Sequence, residues 1–165
     1  IKNNIGYGNG IKEGLLASTS EFVIINHADG QFNAYNFIMS YSDMIDEHTN
    51  AIIPIRLNRS LINNICSFFL RILLSIISFK KISDFNGQPK ILRKSMIKKI
   101  SNLPSDFCID FAIYRIFEDN FQRLPIIEKK REYGTSSWNN NFLKWVKIFL
   151  RYLFYAMFFS KKSHK

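Results

Sequence analysis

Acidic residues are scarce in this chain: 13 Asp and Glu stand against 23 Lys and Arg, leaving a net charge of +10. That imbalance points to phosphate-bearing partners, a class that spans nucleotides, lipid phosphates, anionic membrane surfaces and nucleic acid, and it does not choose among them. Cysteine is nearly absent. Cys66 and Cys108 lie in apolar surroundings without the paired spacing of a zinc site or redox motif, so they read as small buried hydrophobes in a reducing, cytosolic compartment. No basic segment leading into a short apolar stretch and a cleavage site opens the sequence, so no secretory signal is expected. Internal repeats and low-complexity tracts are missing too. The first residue is Ile1, which is compatible with a chain that lacks its natural beginning.

An uninterrupted membrane-crossing run is also lacking. Residues 61–79 come close, but Asn63, Asn64 and Arg71 interrupt them. A central arginine costs about 2.5 to 3.5 kcal/mol on insertion scales, so a buried or membrane-facing helix is expected. Nucleic-acid binding rests on charge alone and ranks last among the readings. Basic residues cluster at 93–99 and 129–131, while the aromatic residues fall within apolar runs and do not interleave with them, which makes a poor stacking platform.

What is present is a folded domain. An apolar fraction of 47% and sixteen Phe argue against disorder, and 165 residues make one compact unit that buries roughly two-thirds of its unfolded surface. Glycines at 6, 8 and 10 predict a flexible turn into a helix over 9–18. A strand over 21–26 follows. Its Val-Ile-Ile run lacks alternation, which suits a strand covered on both faces in a parallel sheet. Further expectations are a helix over 33–45, a strand over 51–55, a loop over 84–89 and a short strand over 90–92. A basic helical turn or two over 93–100, a helix over 106–120 capped by Ser105 and a strand over 123–130 complete the domain. This order is α/β. Residues 142–159 place Lys144, Lys147 and Arg151 at helical spacing on one face, predicting an amphipathic helix either lying in the membrane interface or docked on its own domain or a partner.

The candidate site begins where the first strand ends. Asp29 and Gln31 offer two oxygen ligands at alternate positions on a tight turn, a set that suits Mg²⁺ or Mn²⁺ carrying substrate phosphates. The plainer alternatives are a turn-forming aspartate that caps the next helix, an exposed polar glutamine, and a structural role for His27 in place of metal ligation. The glycines at 6–10 lack the spacing and preceding strand of a dinucleotide fingerprint. Arg56 and Arg59, just beyond the second strand, can grip a phosphate or form a helix-entry surface pair.

Taken in order, several stretches resemble the family 2 glycosyltransferases, particularly the branch related to dolichyl-phosphate mannosyltransferase and bacterial polyprenyl-phosphate glycosyltransferases. Gly8-Asn-Gly10 through Ala17 looks like the family's glycine turn and helix, and Asn26-His-Ala-Asp-Gly-Gln31 like its Asp-x-Asp-x-Gln metal and donor motif. Asp84-Phe-Asn-Gly-Gln-Pro-Lys90 resembles the loop before the acceptor region, Pro104 to Asp110 the opening of the next helix, and Arg131-Glu-Tyr-Gly-Thr-Ser-Ser-Trp138 the Arg-x-x-Gly-x-Ser element. The match runs from about Gly6 to Trp138. Two departures stand out: His27 replaces the leading aspartate of the acidic pair, and the family's opening nucleotide-binding strand has no counterpart.

The resemblance implies a partial GT-A-type, Rossmann-like mixed sheet flanked by helices over residues 1–138, with the amphipathic helix and basic tail over 139–165. It implies metal-assisted, inverting transfer of a sugar from a nucleotide diphosphate-sugar to a polyprenyl phosphate or cell-surface glycan, at the cytoplasmic face of a membrane. Asp29, with Gln31 and His27, would hold Mg²⁺ or Mn²⁺. Gly8, Gly10, Arg131 and Ser136 would bind donor phosphates, Arg56 and Arg59 the acceptor, and Asp110 would serve as general base where the acceptor is a hydroxyl. A phosphate acceptor needs no base. The rival expectation is a truncated or degenerate domain that keeps only membrane or protein binding.

Overall fold

The computed structural model describes residues 3–97, 100–117, 120–127, 129 and 142–158. The first helix, α1, spans Tyr7–Ala17, entered through Gly6 at φ 88. The glycines at 8 and 10 are therefore its first turn and not a loop. Gly8 has a packing reason: a Cβ there would sit 2.4 Å from the Ser105 carbonyl carbon and 2.5 Å from the Asp106 carbonyl oxygen. Only hydrogen fits where the helix presses on that backbone.

Strand β1, Phe22–Ile25, leads to α2, Ala34–Tyr41, which Asn33 caps by accepting the Asn36 N–H. Strands β2, Ala51–Ile52, and β3, Ile55–Leu57, follow. They are separated at Pro54, which has no N–H for a ladder. Helix α3 spans Leu61–Ser78 with Ser60 as its cap. Strand β4, Lys90–Arg93, then runs down the middle of a three-stranded sheet of order β1-β4-β2, antiparallel to both neighbours. Helix α4 is Cys108–Phe117, β5 is Pro125–Ile127, parallel to β3, and α5 is Phe142–Phe158. The basic segment after β4 forms 3-10 turns at Lys94–Met96 and Ile100–Asn102.

The architecture is mixed α/β, with one correction. The Val-Ile-Ile strand is not in a parallel sheet between two helical layers. It pairs antiparallel with β4 at the margin of its sheet and leaves Ile24 41% exposed, because a four-residue marginal strand is covered mainly on one face. The parallel pairing occurs instead between β3 and β5.

The core centres on α4, whose residues are buried all round apart from Ile116, as expected of an interior helix. Phe85 packs 5.2 Å from Phe111 and 5.4 Å from Tyr152, centroid to centroid, joining the 84–89 loop, α4 and α5. So α5 docks on its own domain through Tyr152 and Ala156, with Lys144, Lys147 and Arg151 outside. Cys108 is buried as expected, and Cys66 half-buried.

Candidate functional site

Five side chains from four separate pieces of chain meet at the end of β1. Tyr7, at the start of α1, donates its hydroxyl hydrogen to Asp110 Oδ2 at 2.8 Å. Gln88, in the loop before β4, donates Nε2 to the Tyr7 oxygen at 3.0 Å and to Asp110 Oδ1 at 3.3 Å. Lys90, the first residue of β4, closes an ion pair on Asp110 Oδ1. His27, just past β1, reaches the Tyr7 oxygen through Nε2 at 3.2 Å.

The hydrogens can be assigned from chemistry. A carboxylate paired with lysine only accepts, so the single Tyr7 hydrogen is used on it. The Tyr7 oxygen must then accept from both Gln88 and His27, which makes His27 Nε2 a donor. Burial, and after it the charge of Asp110, raises the Tyr7 phenol well above its ordinary range, so it remains a neutral relay between imidazole and carboxylate. Lys90 and Gln88 are fully buried and Asp110 nearly so. Gln88 Oε1 has no hydrogen-bond partner among the described residues.

This arrangement unites His27 and Asp110, which lie far apart in sequence. It adds Tyr7, Gln88 and Lys90, which sequence reasoning passed over. The available signal was a Gln and a Lys, residues 88 and 90, flanking Pro89 at the start of an apolar strand; a lysine there must have a buried partner. With Nε2 used as a hydrogen-bond donor to Tyr7, Nδ1 is the His27 nitrogen that keeps a lone pair for a metal.

Asp29 is half-buried, and its Oδ1 accepts the Gln31 N–H at 3.2 Å, so it forms the tight turn of the plainer alternative, while the cap of α2 is Asn33. Gln31 exchanges two hydrogen bonds with Lys129, side-chain Nε2 to carbonyl at 3.1 Å and carbonyl to N–H at 3.3 Å. Lys129 therefore adjoins the Asp29 turn. Arg131 and Ser136 themselves lie outside the described residues. No group of three or more His, Cys, Asp or Glu comes together in metal-holding geometry among the described residues. A lone, half-buried carboxylate on a turn fits a cation shared with a phosphate ligand, not one caged by protein alone.

The glycine expectation changes. Gly10 N–H is taken by the Gly6 carbonyl at 3.0 Å, so it is not offered to a phosphate, while the side-chain position of Gly8 faces protein backbone. Gly87 is a further close approach, where a Cβ would lie 2.1 Å from the Pro54 carbonyl oxygen.

A second polar cluster lies where β3 enters α3. Arg56 closes a fork on Asp84, Nε to Oδ2 at 2.9 Å and Nη2 to Oδ1 at 2.8 Å, with its backbone N–H on Oδ2 as well. Burial alone would raise the Asp84 carboxyl, but the charge and bonds of Arg56, aided by Arg59, outweigh it and hold the pKa at about 2. Arg59 donates to Ser67 Oγ at 2.8 Å, and Arg123 donates to the Asp84 carbonyl at 2.6 Å. The Arg56 fork expected to grip an acceptor is thus occupied by Asp84, while three arginines gather round one carboxylate and leave local positive charge.

Fold and site together define a mixed α/β domain with a buried Tyr-Asp-Lys-Gln network linked through His27 to the end of β1 and its acidic turn. The chain matches no family model, no curated protein and no solved structure.

Proposed function

We propose that this chain carries a GT-A-type site for inverting transfer of a sugar from a nucleotide diphosphate-sugar to a polyprenyl phosphate. The observation that carries the reading is the convergence at the end of β1. The turn bearing Asp29 adjoins the Asp110 network, reached through His27 and Tyr7, and the basic residue Lys129, reached through Gln31. Asp29, with Gln31 beside it, would hold Mg²⁺ or Mn²⁺ together with the donor diphosphate, and the bound ion would offset the charge developing on the leaving nucleoside diphosphate.

Of the two acceptors, the phosphate suits the site better. Both Asp110 oxygens are engaged, so it is badly placed to take a proton from a hydroxyl, whereas an anionic phosphate needs only positioning and desolvation. Arg59 and Arg123, around the Asp84 pair, supply the charge for it.

The test is titration of the chain with UDP and GDP in the presence and absence of Mn²⁺. Mn²⁺-dependent binding should appear with at least one nucleotide and weaken tenfold or more in Asp29→Asn. Binding that ignores Mn²⁺, or an Asp29→Asn variant equal to the parent, refutes the reading. One observation favours a second reading, a domain that binds without catalysing: His27 is committed to Tyr7 where an acidic ligand is expected. Turnover of a nucleotide-sugar by the chain would dispose of it.

A further inference from the structure

The outer surface of α3 is the largest feature that the transfer reading leaves unused. Leu74 is the single buried residue of this 18-residue helix, and 6% of the segment is buried in the fold. Leu61, Ile62, Phe68, Phe69 and Ile76 are 53–74% exposed along its length. They fall on one side, because the opposite side, through Leu70, Leu74 and Ile77, packs on the core. That attachment, made through residues 70–77, favours a helix lying along a membrane over one crossing it. A helix held to its domain by one face can lie along a bilayer, not traverse it.

Two observations choose the occupant. Positive charge surrounds the apolar stripe: Arg59 precedes α3, Lys80 and Lys81 follow it, and the neighbouring α5, packed against α3, shows Lys144, Lys147 and Arg151 among exposed Leu150 and Phe154. With a net charge of +10, such a face complements anionic headgroups and repels a second copy of itself. The other observation is Phe79. It ends α3 in the left-handed conformation at φ 51, where glycine is usual, and is 90% exposed. An aromatic ring held in water in a strained conformation has no folding role, but at the rim of an apolar stripe it is placed to enter an interface.

We propose that α3, flanked by the exposed stripe of α5, is a docking face that lies flat in the surface of an anionic lipid bilayer. This placement rests on the helices and not on the transfer chemistry. Its test is sedimentation of the full chain with vesicles of phosphatidylcholine, and of phosphatidylcholine with 30% phosphatidylglycerol. Binding to the anionic vesicles should exceed binding to the neutral ones tenfold or more and fall with added salt. Phe69→Asp/Ile76→Asp should lose at least tenfold in partitioning, and Phe79→Gly a smaller part, both with unchanged circular dichroism. Asp29→Asn should bind vesicles as the parent does, which separates this surface from the site. The proposal is overturned by parent binding that is absent or indifferent to lipid charge. It is equally overturned by a doubly substituted variant that binds undiminished, or by a parent dimer that the double substitution converts to monomer.

Discussion

Replacing Lys90 by Met removes the only cation bonded to Asp110 among the described residues while preserving much of the side-chain volume. Lys90 is 0% and Asp110 5% exposed, so solvent cannot take over the role of the ammonium. Breaking a buried pair on one side usually costs about 3 to 5 kcal/mol, because a charge is left behind in a low-dielectric site. Here Tyr7 and Gln88 still donate to the carboxylate, which places the loss near the lower end, about 3 kcal/mol. Against a domain stability of about 5 to 15 kcal/mol this is a large fraction. With a urea slope of about 2 kcal/mol per molar, the unfolding midpoint should fall by about 1.5 M with little change in slope. The double variant Lys90→Met/Asp110→Asn removes both charges and should be more stable than the sum of the single losses predicts, by about 1 to 3 kcal/mol. Urea titrations of the four proteins decide the matter. A Lys90→Met midpoint within 0.3 M of the parent, about 0.6 kcal/mol at that slope, or additive losses, would refute the argument that this pair is buried and coupled.

Asp84 gives a pH prediction. Its folded pKa of about 2 lies below the ordinary 3.8, so its share of stability is complete above the ordinary value and is lost as pH falls toward 2. The shift corresponds to about 2 kcal/mol, and acid titration of parent and Asp84→Asn should show that slope between about pH 4 and 2 in the parent alone. The glycines of α1 make a matched pair. Gly8→Ala should destabilise by about 1 to 3 kcal/mol, since the new methyl meets backbone at 2.4 Å. Gly10→Ala, with nothing within 4 Å of the added carbon, should stabilise by about 0.5 to 1 kcal/mol; thermal melts of both variants check the signs.

Most helices are legible from local chemistry. Asn33 and Ser60 are side-chain caps, which act on neighbouring amides and need no distant partner. α1 starts two residues before the expected position, and Gly8 in its first turn lies against the backbone of Ser105 and Asp106, 97 or more residues away in sequence. α4 starts at Cys108 because Asp106, not Ser105, caps it by accepting the Cys108 N–H, while the Ser105 hydroxyl accepts from Lys12.

The composition and residue pattern of the chain were enough to establish a basic protein of mixed α/β class, an acidic turn after an apolar strand, and two apolar helices with charged margins. These are properties of neighbours along the chain, where periodicity and capping act. Strand direction and the Asp110 network depended on folding. An apolar run of four residues carries no record of which way its partner points, and β4 turned out antiparallel. Likewise Tyr7, His27, Gln88, Lys90 and Asp110 span 103 positions, and each is an ordinary polar residue until burial removes water and obliges the charges and hydroxyl to satisfy one another.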